Sequence, residues 1–506
     1  MIRHISINSY SESWKHTNWK HLQKVLFRLQ HRVWKAVREG DMVKARNLQK
    51  LIVNSYAARM LAIRQVSQLN TGKKTAGIDG VKSLTFKERF QLESTLKKHA
   101  KDWKHQGLRE IPIPKKDGSK RKLKVPTIAD RAWQCLVKYA LEPAHEATFH
   151  ARSYGFRTGR SAHDAQRILY NNLRSYCHGI SKRVLELDVE KCFDRISHKA
   201  ILERLIAPNY VKRGIFHCLK SGTTPEFPEQ GTQQGGVVSP LLANIALNGI
   251  ESLGQSVRYA DDMVFILKPG ESAEKLLVKI EEFLAVRGIN VNQKKTKVTA
   301  TTDGFDFLGW HFYVQKNNGK FRSVPSEENF KAFRQKVKNI VNNSNYGANT
   351  KVQKLAPIIR GWRNYHKYCK MSGSRFNLWG LAHRTFKVFL KQKTINRYQA
   401  KAMVELAFPH VVSSQSNFFN VKGEKSPFDG DIIYWSKRNS RLYDGVTART
   451  LRKQSHSCGH CGLNFLDGEK VELHHTDGNH NNWEADNLLA IHRSCHHYIH
   501  MSKSEN

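Results

Sequence analysis

The chain has 506 residues, with 84 Lys and Arg against 43 Asp and Glu, a formal net charge of +41 at neutral pH. A surplus of that size, spread over the whole length, implies a polyanionic partner, and a hydrophobic fraction of 40% supports several packed cores. No apolar run is long enough to span a bilayer and no lipidation signal is present, which argues against a membrane protein. From about residue 20 to 66 the pattern predicts two basic helices. Leu22, Leu26, Leu29, Val33 and Val37 recur at helical spacing, Gly40-Asp41 interrupts them, and Leu48, Leu51, Ile52, Ser55 and Met60 resume. Their apolar faces would pack on the main body, leaving Lys and Arg free for phosphates.

A glycine-bearing loop, Thr75 to Val81, precedes Arg109 to Leu123, which reads as an edge hairpin because prolines limit pairing and Asp117-Gly118 suits the turn. From Ser181 to about Phe312, short apolar strands alternate with helices. In Tyr259-Ala260-Asp261-Asp262, two carboxylates sit between an arginine and the apolar run Met263 to Leu267, predicting strand, acidic turn and buried strand. Asp188 ends a second apolar strand, Val184 to Leu187. Two strands that present acids at one rim can hold the metal pair of a phosphoryl-transfer site. From about Glu327 to His410 the chain is helical and basic, and Gly423 to Gly445 is rich in turn formers and aromatics. Cys135, Cys177, Cys192, Cys218 and Cys369 are scattered, as expected of core thiols in a reducing compartment. Cys458, Cys461 and Cys495 crowd with histidines at the C-terminus, which reads as a metal site. With His492 they make a Cys₃His set suited to structural Zn²⁺.

Taken in order, Asp188 with Phe193 five positions on, Gly231 to Leu242, Tyr259 to Asp262, Asn292 to Thr296 and Gly304 to Trp310 resemble the palm of a reverse transcriptase encoded by a group II intron. The run Ser153-Tyr154-Gly155-Phe156-Arg157-Thr158-Gly159-Arg160-Ser161 is especially close to that family. The resemblance implies that Asp188, Asp261 and the carbonyl of Val189 hold two Mg²⁺ ions, with Asp262 in support. It further implies that Lys115 and Arg121 grip an incoming dNTP and that Phe193 stacks under deoxyribose and excludes a 2′-hydroxyl. Gln234 and its glycines would approach the nascent base pair, Tyr259 the primer end, and Lys295 a primer or template phosphate. The family usually carries Pro where Gln233 stands here, so a less rigid loop is expected.

Arg360-Gly361-Trp362-Arg363-Asn364-Tyr365 resembles the signature of the thumb, or X domain, of the same proteins. Arg360, Trp362, Arg363 and Tyr365 are candidates for RNA binding, although Trp362 and Tyr365 suit the thumb core equally. Downstream, from Lys391 to His410, the pattern departs from the family. Ser426 to Asp431 with Tyr434-Trp435-Ser436 resembles the short DNA-binding region of many relatives. Glu472, His474, His475, Asn487, His496 and His500 resemble an HNH endonuclease of the ββα-metal type. That likeness implies His475 as general base and His474, His496 and His500 as ligands of one divalent ion, Mg²⁺ or Mn²⁺. Asn487 would fix the backbone and Glu472 orient its neighbours; His497 is an alternative to His496.

These readings predict a multidomain α+β chain. Residues 1–85 would form a basic helical extension, 86–180 the fingers, 181–315 the palm of a right-hand polymerase and 316–410 its helical thumb or X domain. A DNA-binding region at 411–455 and an HNH zinc domain at 456–506 would follow. The function implied is a protein that helps splice its own intron RNA, nicks double-stranded target DNA and copies the RNA from the nick. No secretory h-region opens the chain, so a bacterial cytoplasmic location is expected, with an organelle matrix as the alternative. Monomer and homodimer both stay open.

Overall fold

The computed structural model describes residues 7–70, 75–114, 118, 120–371, 376–392, 394–411, 420–440, 443, 445–465, 471–480, 482–493, 495–496 and 499–500. Helices Ile7–Lys15, Trp19–Arg38, Met42–Asn54 and Tyr56–Arg64 open it. The predicted pair is therefore three helices after a short first one. Asn18 and Asp41 cap the second and third through their side chains, and Ser55, in extended conformation at φ −75° and ψ 127°, divides what sequence periodicity joined. Helical spacing carries across such a break because Ser55 interrupts the backbone without interrupting the apolar stripe.

Those helices share one core with helix Ile128–Glu146 and with helix Ser239–Leu247 behind the palm sheet; Ile52, Met60, Leu136 and Leu242 are among its fully buried members. The buried Gln49 side chain ties the third helix to Ala140 O at 3.1 Å and Ile206 O at 2.8 Å. A two-stranded ribbon, β1 (Arg109–Pro114) and β2 (Lys120–Val125), pairs Arg109 with Val125 and Pro114 with Lys120.

The palm is a four-stranded antiparallel sheet. β3 (Arg183–Leu187) lies beside β5 (Asp262–Leu267), which is flanked by β4 (Ser256–Tyr259), and β6 (Lys297–Ala300) borders β3 on its other side. The register sets Leu187 opposite Met263 and Tyr259 opposite Asp262. The ends of β3 and of the β4–β5 hairpin thus reach the same rim. A separate three-stranded sheet, β7 (Phe305–Phe307), β8 (Trp310–Val314) and β9 (Phe321–Pro325), packs Trp310 and Phe312 into a second core. Four helices follow, Glu327–Val341, Ala348–Tyr365, Trp379–Leu390 and Arg397–Ala407. The last sheet pairs β10 (Val471–His475) with β11 (Leu488–His492), and every described residue from 493 to 500 is helical. No helix among the described residues is long and apolar enough to cross a membrane.

Candidate active site

Ala260 and Asp261 form the two-residue turn between β4 and β5. Ala260 has φ +59°, a left-handed conformation that costs a residue with a side chain about 1–2 kcal/mol. Surrounding contacts hold it there. The Ala260 carbonyl accepts from Arg258 Nη1 at 3.1 Å, and that fully buried guanidinium also donates to Asn244 Oδ1 at 2.9 Å and Glu251 Oε1 at 2.5 Å. Gly155 seats directly on the turn, since a Cβ on it would meet Ala260 N at 2.3 Å, and Asn244 Nδ2 donates to its carbonyl at 2.8 Å.

Asp188 follows β3. Its amide donates to Thr296 Oγ1 at 3.2 Å and its carbonyl accepts from the Asn292 amide at 2.8 Å. Lys295 Nζ stands 4.0 Å from Asp188 Oδ2. The Asp262 side chain reaches solvent at the rim, but nearby protein strips water from its carboxyl. That desolvation, then the charges of Asp261 and Asp188, pushes its pKa up to about 6. Acids that resist being charged together are the donor set a hard divalent cation would relieve, so the residues present fit Mg²⁺.

A cleft of about 640 Å³ brings together Asp188, Val189, Phe193, Gln234, Asp261 and Lys295. Tyr259 stays half-buried at the end of β4, behind the turn. Gln234 Nε2 donates to Asp194 Oδ1 at 3.0 Å, and its carbonyl accepts from the Lys124 amide at 2.9 Å, so the glutamine loop is fastened to palm and ribbon alike. Gly235, at φ +128°, leaves no room for a side chain, because a Cβ would lie 2.9 Å from Lys124 O. The expectation of a looser loop is corrected. Gln233 is buried, donates to Cys218 O at 2.9 Å and Ser221 Oγ at 2.8 Å, and accepts from Gln134 Nε2 at 3.0 Å. An amide network restrains the position where the family has a ring.

Lys120, Lys122 and Lys124 also line the cleft, with Lys191 opposite. The sequence reading passed over this row; its signal was a period of two along β2, which turns alternate side chains to one face. Lys124 is buried against the carbonyl of Gly222, and burial lowers its pKa. Lys115 lies outside the described residues. Arg121 pairs through its backbone with Ile113, and its side chain lies outside the described ones.

In the thumb, three of four RNA-binding candidates have structural tasks. Trp362 is buried, stacked on Phe333 at 4.1 Å and 17°, and belongs to the core with Phe330 and Leu355. Tyr365 stacks on Trp310 at 4.5 Å and donates to Leu308 O at 2.7 Å, fastening thumb to palm. Arg363 Nη1 donates to the carbonyls of Phe408 and Pro409 at 3.0 and 2.8 Å. Arg360 is exposed. Of the two readings open for Trp362 and Tyr365, RNA stacking and thumb core, the helix turns both rings inward to the core.

The region around Ser426 docks on the loop after Gly155. Phe428 and Trp435 are buried, and a Cβ on Gly159 would meet the Trp435 ring at 2.5 Å. Arg438 and Asp164 form a buried ion pair at 2.6 Å, and His31 Nδ1 donates to Phe428 O at 2.8 Å.

At the C-terminus, donor atoms of Cys458, Cys461, His492 and Cys495 lie within 4.8 Å of one another. Their crowding drives the thiols apart in acidity: hydrogen bonds with Cys461 and Cys495 pull Cys458 well down, while hydrogen bonds with Cys458 and Cys461 push Cys495 well up. Such a set fits Zn²⁺, which takes thiolates and a neutral imidazole. His474, His496 and His500 make a second convergent set. Glu472 Oε2 holds His496 Nδ1 at 2.9 Å, an arrangement that aims the other ring nitrogen at a cation. His475 is buried, and neither ring nitrogen has a hydrogen-bond partner among the described residues. Asn487 fixes the turn after it, accepting from the Asp477 amide at 3.0 Å and Thr476 Oγ1 at 2.8 Å. His497 lies outside the described residues.

The family model described as reverse transcriptase (RNA-dependent DNA polymerase) matches residues 113–312, and that for the N-terminal domain of reverse transcriptase matches 14–96. The group II intron maturase-specific domain matches 330–404. Maturase-like protein 1 of Euglena gracilis is 38% identical over 88% of this chain and 96% of its own. Its Euglena longa namesake is 36% identical over 80% and 88%. Group II intron-encoded protein LtrA of Lactococcus lactis is 33% identical over 29% of this chain and 25% of its own. With carboxylates gathered at a polymerase-like palm and a maturase-specific domain behind it, the chain belongs to the group II intron reverse transcriptase–maturase family.

Proposed function

We propose that this reverse transcriptase and maturase also cuts its DNA target and primes synthesis from the cut. The observation that carries the reading is the occurrence, on one chain, of the acidic cleft at Asp188 and Asp261 and of a buried His475 beside two convergent ligand sets. In the cleft, Asp188, Asp261 and the Val189 carbonyl would hold two Mg²⁺ ions, which when bound acidify the primer 3′-hydroxyl and neutralise the triphosphate. Lys120, Lys122, Lys124 and Lys295 supply further positive charge along the cleft. Phe193 meets the sugar, and Gln234, held by Asp194, faces the nascent pair.

In the C-terminal module, His475 takes the proton of the attacking water at a ring nitrogen, and Asn487 keeps its backbone in place. His474, His496 and His500 would hold the divalent ion that supplies charge to the scissile phosphate. Arg360 and the basic faces of the N-terminal helices contact intron RNA. Partners would be the intron RNA, double-stranded DNA and dNTPs, in a bacterial cytoplasm.

The test combines a nicking assay on supercoiled target DNA with primer extension on an RNA template. Asp261→Ala is expected to abolish extension and keep nicking, and His475→Ala the reverse. Nicking that survives His475→Ala would overturn the nuclease reading.

A further inference from the structure

Phe156 sits in the loop between Gly155 and Arg157 with φ +56°, a conformation in which a bulky side chain is a genuine outlier. It is not a tolerated accident of a slack loop, because both neighbours are immobilised. Gly155 is pressed on Ala260 and held through its carbonyl by Asn244. Arg157 forks onto the Glu146 carboxylate with two contacts of 2.8 Å and donates to Ser153 O at 2.8 Å, all of it buried. Between these anchors the Phe156 ring is thrown outward, 54% exposed, with no core to fill. What it does meet is Phe193, in a T-shaped contact at a centroid distance of 6.5 Å and an interplanar angle of 86°. Strain sustained by its surroundings in an exposed aromatic beside the reaction cleft points to function rather than stability.

We propose that Phe156 is a positioning residue for sugar selection, acting through Phe193. Its ring braces Phe193 through that T-shaped contact and fixes the angle at which Phe193 meets the deoxyribose. Phe193 lines the cleft and Phe156 does not, so Phe156 acts indirectly. The same loop is registered to the Ala260-Asp261 turn, so the brace and the acidic turn keep one spacing. The proposal rests on the reading of Phe193 as the residue under the sugar.

The experiment is single-nucleotide insertion with dNTP and rNTP on one RNA template and DNA primer, for Phe156→Gly, Phe156→Ala, Phe156→Tyr and Phe193→Ala. Phe156→Gly relieves the positive φ, so its melting temperature is expected to hold or rise. Its preference for dNTP over rNTP should nevertheless fall roughly tenfold, the scale of one lost pocket contact. The dNTP KM should rise by more than kcat falls, and Phe156→Tyr should restore both. Selectivity unchanged in Phe156→Gly and Phe156→Ala while Phe193→Ala loses it would overturn the brace alone. Selectivity unchanged in Phe193→Ala would overturn the sugar reading and the brace with it. Loss of melting temperature with dNTP and rNTP use falling in parallel would make Phe156 structural and refute the proposal.

Discussion

Gln134, on the buried helix behind the fingers, donates a side-chain N–H to Gln233 Oε1 at 3.0 Å and accepts the Val237 amide at 2.8 Å. The glutamine loop at the cleft is thereby suspended from a helix 99 residues earlier in the chain. Gln233→Ala would strand the buried Gln134 amide N–H, while the Cys218 carbonyl keeps its bond from Ser221 Oγ at 2.8 Å. Each unsatisfied group costs about 1–3 kcal/mol, so urea unfolding should register at least that loss. Extension should show a raised dNTP KM, and Gln233→Glu, which loses both donated bonds, should behave no better.

Asp261→Ala removes a half-buried cleft carboxylate without opening a core. Single-turnover extension should fall by roughly a thousandfold or more, about 4 kcal/mol of transition-state stabilisation. Affinity for intron RNA, measured by filter binding, should stay within about twofold, because phosphate contacts are made elsewhere and fall with salt rather than with this acid.

Arg438 and Asp164 are each about 2% exposed. Removing one partner of a buried pair leaves an uncompensated charge and costs about 3–5 kcal/mol. Arg438→Ala should therefore shift the denaturation midpoint strongly, and Arg438→Met combined with Asp164→Asn, which removes the second charge and keeps an acceptor for the Ser161 amide, should recover part of the loss. Equal stability of single and double variants would show that the pair contributes nothing by its charge.

Removing the zinc proposed for the Cys₃His set should unfold the C-terminal module, whose core of Leu451, Cys458, Phe465, Ala490 and Ile491 is small. Cys458→Ser should lower zinc content by atomic absorption and abolish nicking while extension persists. A zinc content equal to that of the parent chain would reject the Cys₃His assignment.

Burial depresses His145 to about 3, with Lys212 adding to it, and His366 to about 3, with His163 adding to it. Both imidazoles are neutral in the fold and ordinary when unfolded, so the unfolded chain binds more protons between pH 3 and 6.5. Stability is full above about pH 6.5 and falls below it, by up to about 1.4 kcal/mol per pH unit for each histidine. His145→Gln keeps an acceptor for the Ile206 amide, now bonded at 3.2 Å, and should flatten the slope between pH 6.5 and 5 in urea titrations.

The acidic hairpin was legible because its signal is local: Tyr259 to Leu267 carries polar turn and apolar strand within nine positions, and β3 repeats the pattern at Asp188. Trp362 was not, since a ring on a helix has the same spacing whether it faces RNA or Phe333. Nor was the Ser55 break, where one serine alters the backbone path and leaves the apolar stripe intact. Arg438 meeting Asp164 joins residues 274 apart, and no pattern within either segment announces the other. The lysine row of β2 was overlooked because every residue from Lys120 to Lys124 but Leu123 is basic, which hides which face is used.

The contact of Gly155 with Ala260 bears on how the polymerase closes. A loop whose α-carbon touches the main chain of the turn beside it cannot slide, so the Gly155 loop and the acidic turn keep one position relative to each other. A closing motion of the Arg109–Val125 ribbon would have to carry or break the bond at its base, where the Lys124 amide meets Gln234 O at 2.9 Å.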